Sequence, residues 1–384
     1  MSILTAEQQE IKKAAKEFVA KYIIPNAAEY DKTAEFHPFL LEAAKDSRIF
    51  TMAIPKKYGG LGYDAVTQAV VVEEWGYGCA GMGTTLAAGV LGMDSLLIAG
   101  NEEQKQRYFD PILKGGIAAF ALTEPGAGSD AAGVKTVAAR SGDNYILNGT
   151  KCFITNGGYA SVYVILAKTD PSKGVKGISA FMVEKGRPGF TIGTTEHKLG
   201  IRSSNTVELL LKDVHVPAVN LVGKEGDGMK IAMMTLDMGR PMIAALAVGV
   251  AQRALDESVK YLQERFPGKL QPGQTSQFKL ADMQIQVEAA RQMLHYTMKL
   301  RDSGLPYSKE SAITKTLCGD VAMSVTTQAV SLTGSYGYTS GIAKLMRDAK
   351  IMQVYEGTNQ IQRLVISRAV LSPAPAVAAG QKAA

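Results

Sequence analysis

Leu122-Thr-Glu-Pro-Gly-Ala-Gly-Ser-Asp130 marks the point at which this 384-residue chain changes texture. Pro125, Gly126 and Gly128 dictate a tight loop, and the glycines let backbone N–H groups approach an anionic or carbonyl-rich ligand. Thr123 and Ser129 add hydroxyls. Alone, the segment is equally a plain β-turn. On its N-terminal side the pattern is helical. Ile11, Ala15, Phe18, Val19 and Tyr22 repeat at 3.6 spacing, and further helices are predicted over 68–74 and 102–113, with a turn-rich break at 54–62.

On its C-terminal side, seven short β-rich runs follow, over 120–123, 134–140, 144–147, 162–167, 178–184, 190–195 and 207–214. Strands without intervening helices predict a small barrel or sandwich. Helical periodicity returns after Gly228, over 229–264, 277–303, 309–333, 344–354 and 359–371, and predicts an antiparallel bundle. The fold expected is mainly α with a β domain: an N-terminal helical domain (1–118), a middle β-barrel (119–228), a C-terminal four-helix bundle (229–371) and a disordered tail (372–384).

Composition narrows the function. At 46% hydrophobic and 20% charged the chain can build a substantial core, and its length calls for two or three packed domains. The +6 charge forms no run, and aromatics are only 7%, which argues against a nucleic-acid surface. Cys79, Cys152 and Cys318 are isolated, so buried thiols in a reducing compartment are expected. The four histidines show no metal spacing. The N-terminus reads as an amphipathic helix rather than a signal peptide, and no apolar run approaches the roughly 20 residues of a membrane span. The expected location is the cytoplasm of a bacterium, or the mitochondrial matrix for a processed eukaryotic chain, without membrane insertion.

There is no GxGxxG opening a βαβ unit, no GxxxxGK[ST] and no GxSxG elbow. Three more clusters stand out. Lys151-Cys-Phe-Ile-Thr-Asn-Gly-Gly158 is a strand ending in a turn, with Phe153 and Thr155 two apart and so expected on one face. The pair could sit on a flavin, or be a core Phe beside a turn Thr. Val354-Tyr-Glu-Gly-Thr-Asn-Gln-Ile-Gln362 places Glu356 on a helix break, with Gly357 as breaker and Thr358 as the next N-cap. In Leu236-Asp-Met-Gly-Arg240, Asp237 and Arg240 share a helix face, to pair with each other or to hold a polar ligand.

Together these segments resemble the acyl-CoA dehydrogenase family over nearly the whole chain. Pro55-Lys-Lys-Tyr-Gly-Gly-Leu-Gly62, Lys198-Leu-Gly-Ile-Arg-Ser-Ser204, Gly223-Lys-Glu-Gly-Asp-Gly228 and Arg347-Asp-Ala-Lys350 complete the ordered set. The resemblance implies a homotetramer with FAD between the middle and C-terminal domains. Leu122, Thr123 and Ser129 would lie by the flavin ring, Phe153 would pack on it, and Thr155 would bond to its N5. Gly334 and Thr358 would belong to the cofactor site. Asp237, Arg240 and Gly357 would contact substrate, with Ser204 near its nucleotide end. Glu356 matches the usual base; the alternative base position, just before Arg240, is Gly239 here.

The reaction implied is α,β-dehydrogenation of a short or short-branched acyl-CoA to the trans-2-enoyl-CoA. Glu356 takes the α proton, a β hydride goes to flavin N5, and an electron-transferring flavoprotein is the acceptor. The backbone N–H of Glu356 and a ribityl hydroxyl would hold the thioester carbonyl. The chain departs from the family pattern at three places. Arg265, Phe266 and Gln274 stand in a loop about two residues short with Pro267 inserted; that loop would reach the FAD pyrophosphate of a neighbouring subunit. Ser331 and Ser335 replace a frequent glutamine and glycine, ahead of a shortened 339–344 segment. Pro241 and Leu246 are unusual after Arg240, and Pro241 should kink its helix. An enoyl-CoA reductase on the same site, or an FAD-poor scaffold subunit, are the alternatives.

Overall fold

Polar caps decide where the N-terminal helices begin. The computed structural model describes residues 4–36, 38–267 and 273–372, and the tail expected over 372–384 lies outside them except for Ser372. Thr5 and Gln8 form a reciprocal capping box at α1 (Ala6–Phe18). After α2 (Ala27–Thr33) and α3 (Phe39–Asp46), the Asp64 carboxylate accepts the Thr67 N–H at 2.7 Å to open α4 (Ala65–Gly78). Asn101 and Gln104 make a second capping box at α6 (Glu102–Leu113). Between these lies α5 (Ala80–Ala99), apolar nearly all round and largely buried. A helix buried on every side shows no periodicity, which is why its limits cannot be read from the pattern.

The β region is one eight-stranded sheet: β1 (Ala118–Ala121), β2 (Val137–Ser141), β3 (Asn144–Thr155), β4 (Val162–Lys168), β5 (Ile178–Glu184), β6 (Phe190–Thr195), β7 (Thr206–Pro217) and β8 (Leu221–Val222). The order is β6-β7-β3-β2-β4-β5-β8, with β1 added parallel to β4. The runs at 144–147 and 151–155 are one strand, carried across Gly149 at φ 156°. In β4, Val162, Val164 and Leu166 face a core shared with α5 and α6, while Tyr163, Ile165 and Ala167 face a second core within the β domain. Both faces of β4 are therefore covered, and it reads as a continuous apolar run.

Six helices follow: α7 (Gly228–Arg265), α8 (Gln274–Asp302), α9 (Ser308–Thr333), α10 (Ser335–Thr339), α11 (Gly341–Ile351) and α12 (Asn359–Leu371). The longest, α7, runs through Pro241 as one helix. It packs directly on α4: a Cβ on Gly76 would overlap the Leu246 backbone, and one on Gly249 would overlap the Glu73 carbonyl. One large core joins α1, α4 and α5 to α7, α8, α9 and α11. Contrary to the reading of the raw sequence, α5 and α7 are long and apolar enough to span a membrane by length and composition. In both, 72% of the apolar window is buried inside the fold, so core packing accounts for their apolarity.

Candidate active site

Glu356 sits where two helices meet at an irregular turn. The chain leaves α11 with Val354 and Tyr355 donating to the Ile351 carbonyl, and Thr358 restarts it by accepting the Ile361 N–H at 3.3 Å. Between them Glu356 (φ 54°) and Gly357 (φ 85°) are both left-handed. For a glutamate this is uncommon and costs energy, so surrounding contacts must hold it. Lys315 Nζ donates to Gly357 O at 2.8 Å and to Asn359 Oδ1 at 3.0 Å. Gln362 Nε2 donates to the carbonyls of Glu356 and Gly357, both at 3.0 Å.

The result is a carboxylate without a protein partner. Glu356 Oε2 is sealed from solvent and takes no hydrogen bond. Burial pushes the Glu356 pKa up to about 7, against the pull of Arg240 and Lys315 and with a smaller push from Asp94. Its backbone N–H also donates to no protein acceptor among the described residues. A Cβ placed on Gly239 would lie 3.3 Å from Glu356 Oε2 and 2.7 Å from Leu91 Cδ1. The two possible base positions therefore face the same point in space, and only Glu356 carries a carboxylate there.

Arg240 and Asp237 pair with each other through Nη1 and Oδ1, while the buried Arg240 Nε has no partner. The reading as a mutual ion pair is what the structure shows, with Arg240 Nε left as a free donor. Lys315, fully buried on α9, was not singled out from sequence. Burial lowers its pKa to about 8, partly offset by Glu356. The available signal was a lysine at core spacing, between the buried Ser311 and Cys318.

The loop at 122–130 and the strand end at 151–158 form a second group. Cys152 N donates to Thr123 O at 3.0 Å. Lys151 Nζ donates to Glu124 Oε1 at 2.7 Å and to Leu122 O at 3.0 Å, and Glu124 also accepts the N–H groups of Lys135 and Thr136. Burial lowers the Lys151 pKa to about 8 although Glu124 opposes the shift. Gly126 and Gly128 have open space where a Cβ would be.

Phe153 and Thr155 share an outward face by a route that spacing alone did not reveal. The β3–β7 register shifts between Lys151 and Ile154, Phe153 takes φ 56°, and Ile154 points into the core of the β domain. This bulge leaves the Phe153 ring 62% exposed, though it stands in a strand. An exposed aromatic face, flanked by a Thr and an open glycine loop, fits a flavin ring.

Helix α5 connects the two groups. Asn156 Nδ2 donates to Thr85 O at 2.9 Å, Thr84 Oγ1 lies 3.4 Å from the Tyr355 hydroxyl, and Leu91 approaches Glu356. Other predicted site residues lie apart. Ser204 is buried with its hydroxyl unpartnered. Gly334 caps α9 at φ 61° with free space around it. Arg265 and Phe266 close α7 and Gln274 opens α8. At ~1.5 Å per residue, Arg265 is about 39 Å along α7 from Gly239, beyond reach of Glu356 in the same chain. A surface depression of about 420 Å³ is lined by Tyr63, Asp64, Gln68, Arg301 and Asp302 among others and does not include Glu356, Gly239 or Leu91.

These features put a dry, unpartnered carboxylate and an exposed aromatic face on a helical–β–helical frame. Residues 5–116, 119–214 and 226–371 match the N-terminal, middle and C-terminal domains of acyl-CoA dehydrogenase. The chain belongs to the acyl-CoA dehydrogenase family, oxidoreductases acting on CH–CH groups. It is 46% identical over 372 residues to the short-chain-specific acyl-CoA dehydrogenase of Clostridium acetobutylicum, covering 95% of this chain and 98% of the relative. It is 42% identical over 375 residues to the acryloyl-CoA reductase (NADH) of Anaerotignum propionicum, covering 96% and 95%. Among solved structures, it is similar to the butyryl-CoA dehydrogenase of Megasphaera elsdenii at a TM-score of 0.94 and 43% identity, covering 97% of this chain and all of that one.

Proposed function

We propose that this protein catalyses α,β-dehydrogenation of a short-chain acyl-CoA, with Glu356 as the base. The observation that carries the reading is the sealed, unpartnered Glu356 carboxylate with its pKa raised to about 7. A base tuned near the operating pH removes a weakly acidic proton efficiently. The free N–H of Glu356 is available to the thioester carbonyl as charge develops on it. Arg240 and Lys315 supply positive charge nearby, and the apolar surroundings exclude water.

The cofactor is FAD, which when bound supplies the two-electron acceptor. Phe153, Thr155, Leu122, Thr123 and Ser129 would hold the ring, and Gly334 and Thr358 more distant parts. Arg265, Phe266 and Gln274 would act on a neighbouring subunit of a homotetramer. An electron-transferring flavoprotein would reoxidise the enzyme. The likeness to an acryloyl-CoA reductase favours a second reading, reduction of an enoyl-CoA by the same groups, in which Glu356 returns the proton to Cα. The test is Glu356→Gln. The purified variant should stay yellow yet lose bleaching by butyryl-CoA; bleaching at a near-native rate would rule out Glu356 as the base. Relative rates with butyryl-CoA and crotonyl-CoA under matched donors and acceptors separate the two directions.

A further inference from the structure

The wall beside Glu356 changes character on either side of it. Leu91 approaches Gly239, and one turn further along α5 Ser95 Oγ lies 3.0 Å from Thr235 Oγ1, one turn earlier on α7. The helices therefore run antiparallel past the carboxylate. In one direction the residues one turn on from Leu91 and Gly239 are apolar and buried: Ala87, Met242 and Ile243. In the other are polar residues: Asp94, Ser95, Thr235 and Asp237, with Tyr307 within electrostatic reach of both aspartates.

Asp94 is the anomaly. It is the single charged residue of α5, only 4% exposed, and no group among the described residues hydrogen-bonds to it. Ser95 and Thr235 satisfy each other beside it. Burial pushes its pKa up to about 7 against the pull of Arg301. The charged or titratable groups that interact with it are Arg301, Tyr307 and Glu356. An unpartnered buried carboxylate costs free energy, and nothing in an apolar core requires one.

An acyl-CoA has matching polarity. On one side of its thioester carbonyl is an apolar chain, and on the other is the pantetheine arm with two amides and a hydroxyl. With Cα at Glu356, the apolar wall takes the chain and the polar wall takes the arm. We infer that Asp94 is a substrate-binding residue that accepts a hydrogen bond from an amide N–H of the pantetheine arm. The inference rests on the acyl-CoA reading above.

Asp94→Leu and Asp94→Asn test it, assayed with butyryl-CoA and with the butyryl thioester of 2-mercaptoethanol, which lacks both amides. For butyryl-CoA, Asp94→Leu should raise KM about tenfold or more and leave kcat within about twofold, the loss expected of one charge-assisted hydrogen bond. KM for the amide-free thioester should not change. Asp94→Asn, which keeps an acceptor, should retain most of the affinity. Unchanged KM for butyryl-CoA overturns the inference, as does an equal rise for both thioesters, which reports packing. Loss of flavin reduction to the level of Glu356→Gln also overturns it, because Asp94 would then act in proton transfer. Calorimetry with butyl-CoA, a thioether that cannot be oxidised, separates the two failures. If the native protein binds butyl-CoA but oxidises no acyl-CoA, the dehydrogenase reading falls. The affinity of Asp94→Leu for that thioether then judges Asp94 alone.

Discussion

Glu356 owes its basicity to what is withheld from it. Solvent and hydrogen-bond donors are both absent at Oε2, and the raised pKa follows from that desolvation. Two outcomes are expected. First, kcat/KM should rise with pH through about 7, because the free enzyme must present Glu356 deprotonated; a pH–rate profile whose acidic limb lies in the ordinary carboxylate range would contradict this. Second, stability should depend on pH in the direction set by a folded-state pKa above the unfolded value. The contribution is fully present below the ordinary glutamate range and is lost as pH rises from there through about 7. Glu356→Gln carries no such charge. Its thermal midpoint should match the native one near pH 4 and exceed it at pH 8.

At the level of elements, the Lys151–Glu124 pair pins the 122–130 loop to the end of β3. Both side chains are buried, and Glu124 also gathers the Lys135 and Thr136 N–H groups. Removing one partner of such a pair leaves an uncompensated buried charge. Lys151→Met is expected to destabilise the holoprotein by about 3–5 kcal/mol in urea unfolding and to release FAD during gel filtration. Thr358→Ala removes an N-cap from α12 and should cost about 1 kcal/mol by the same measurement. The Phe153 bulge belongs here too. Its register shift is what turns an aromatic ring out of a strand, and no two-residue alternation contains that information.

For the whole molecule, α7 is long enough to serve two sites. Gly239 and Arg240 lie beside Glu356, while Arg265 ends the same helix about 39 Å away. If Arg265 acts on a neighbouring copy, Arg265→Ala should keep its oligomeric state in light scattering yet retain less FAD. Co-expression with the native chain should restore FAD only to those sites whose neighbour supplies Arg265. A variant that bound FAD normally as a homo-oligomer would remove Arg265 from the cofactor site.

Much of this was legible in the chain itself. The α–β–α order, the cap at Thr358 and Glu356 on a helix break all rest on local rules: periodicity, turn chemistry and capping. Helix α5 escaped because uniform burial erases periodicity. Asp94 and Lys315 escaped because a lone charge inside an apolar stretch says only that something must compensate it. Which groups do so depends on residues far along the chain: Arg301 for Asp94, 207 positions on, and the Gly357 carbonyl and Asn359 for Lys315, 42 and 44 positions on. The sequence by itself thus determined the architecture and marked out Glu356 as the candidate base. Only the tertiary structure decided how dry that base is, which wall is polar and which apolar, and where Phe153 faces, because desolvation and facing are properties of packed helices and strands rather than of any one segment.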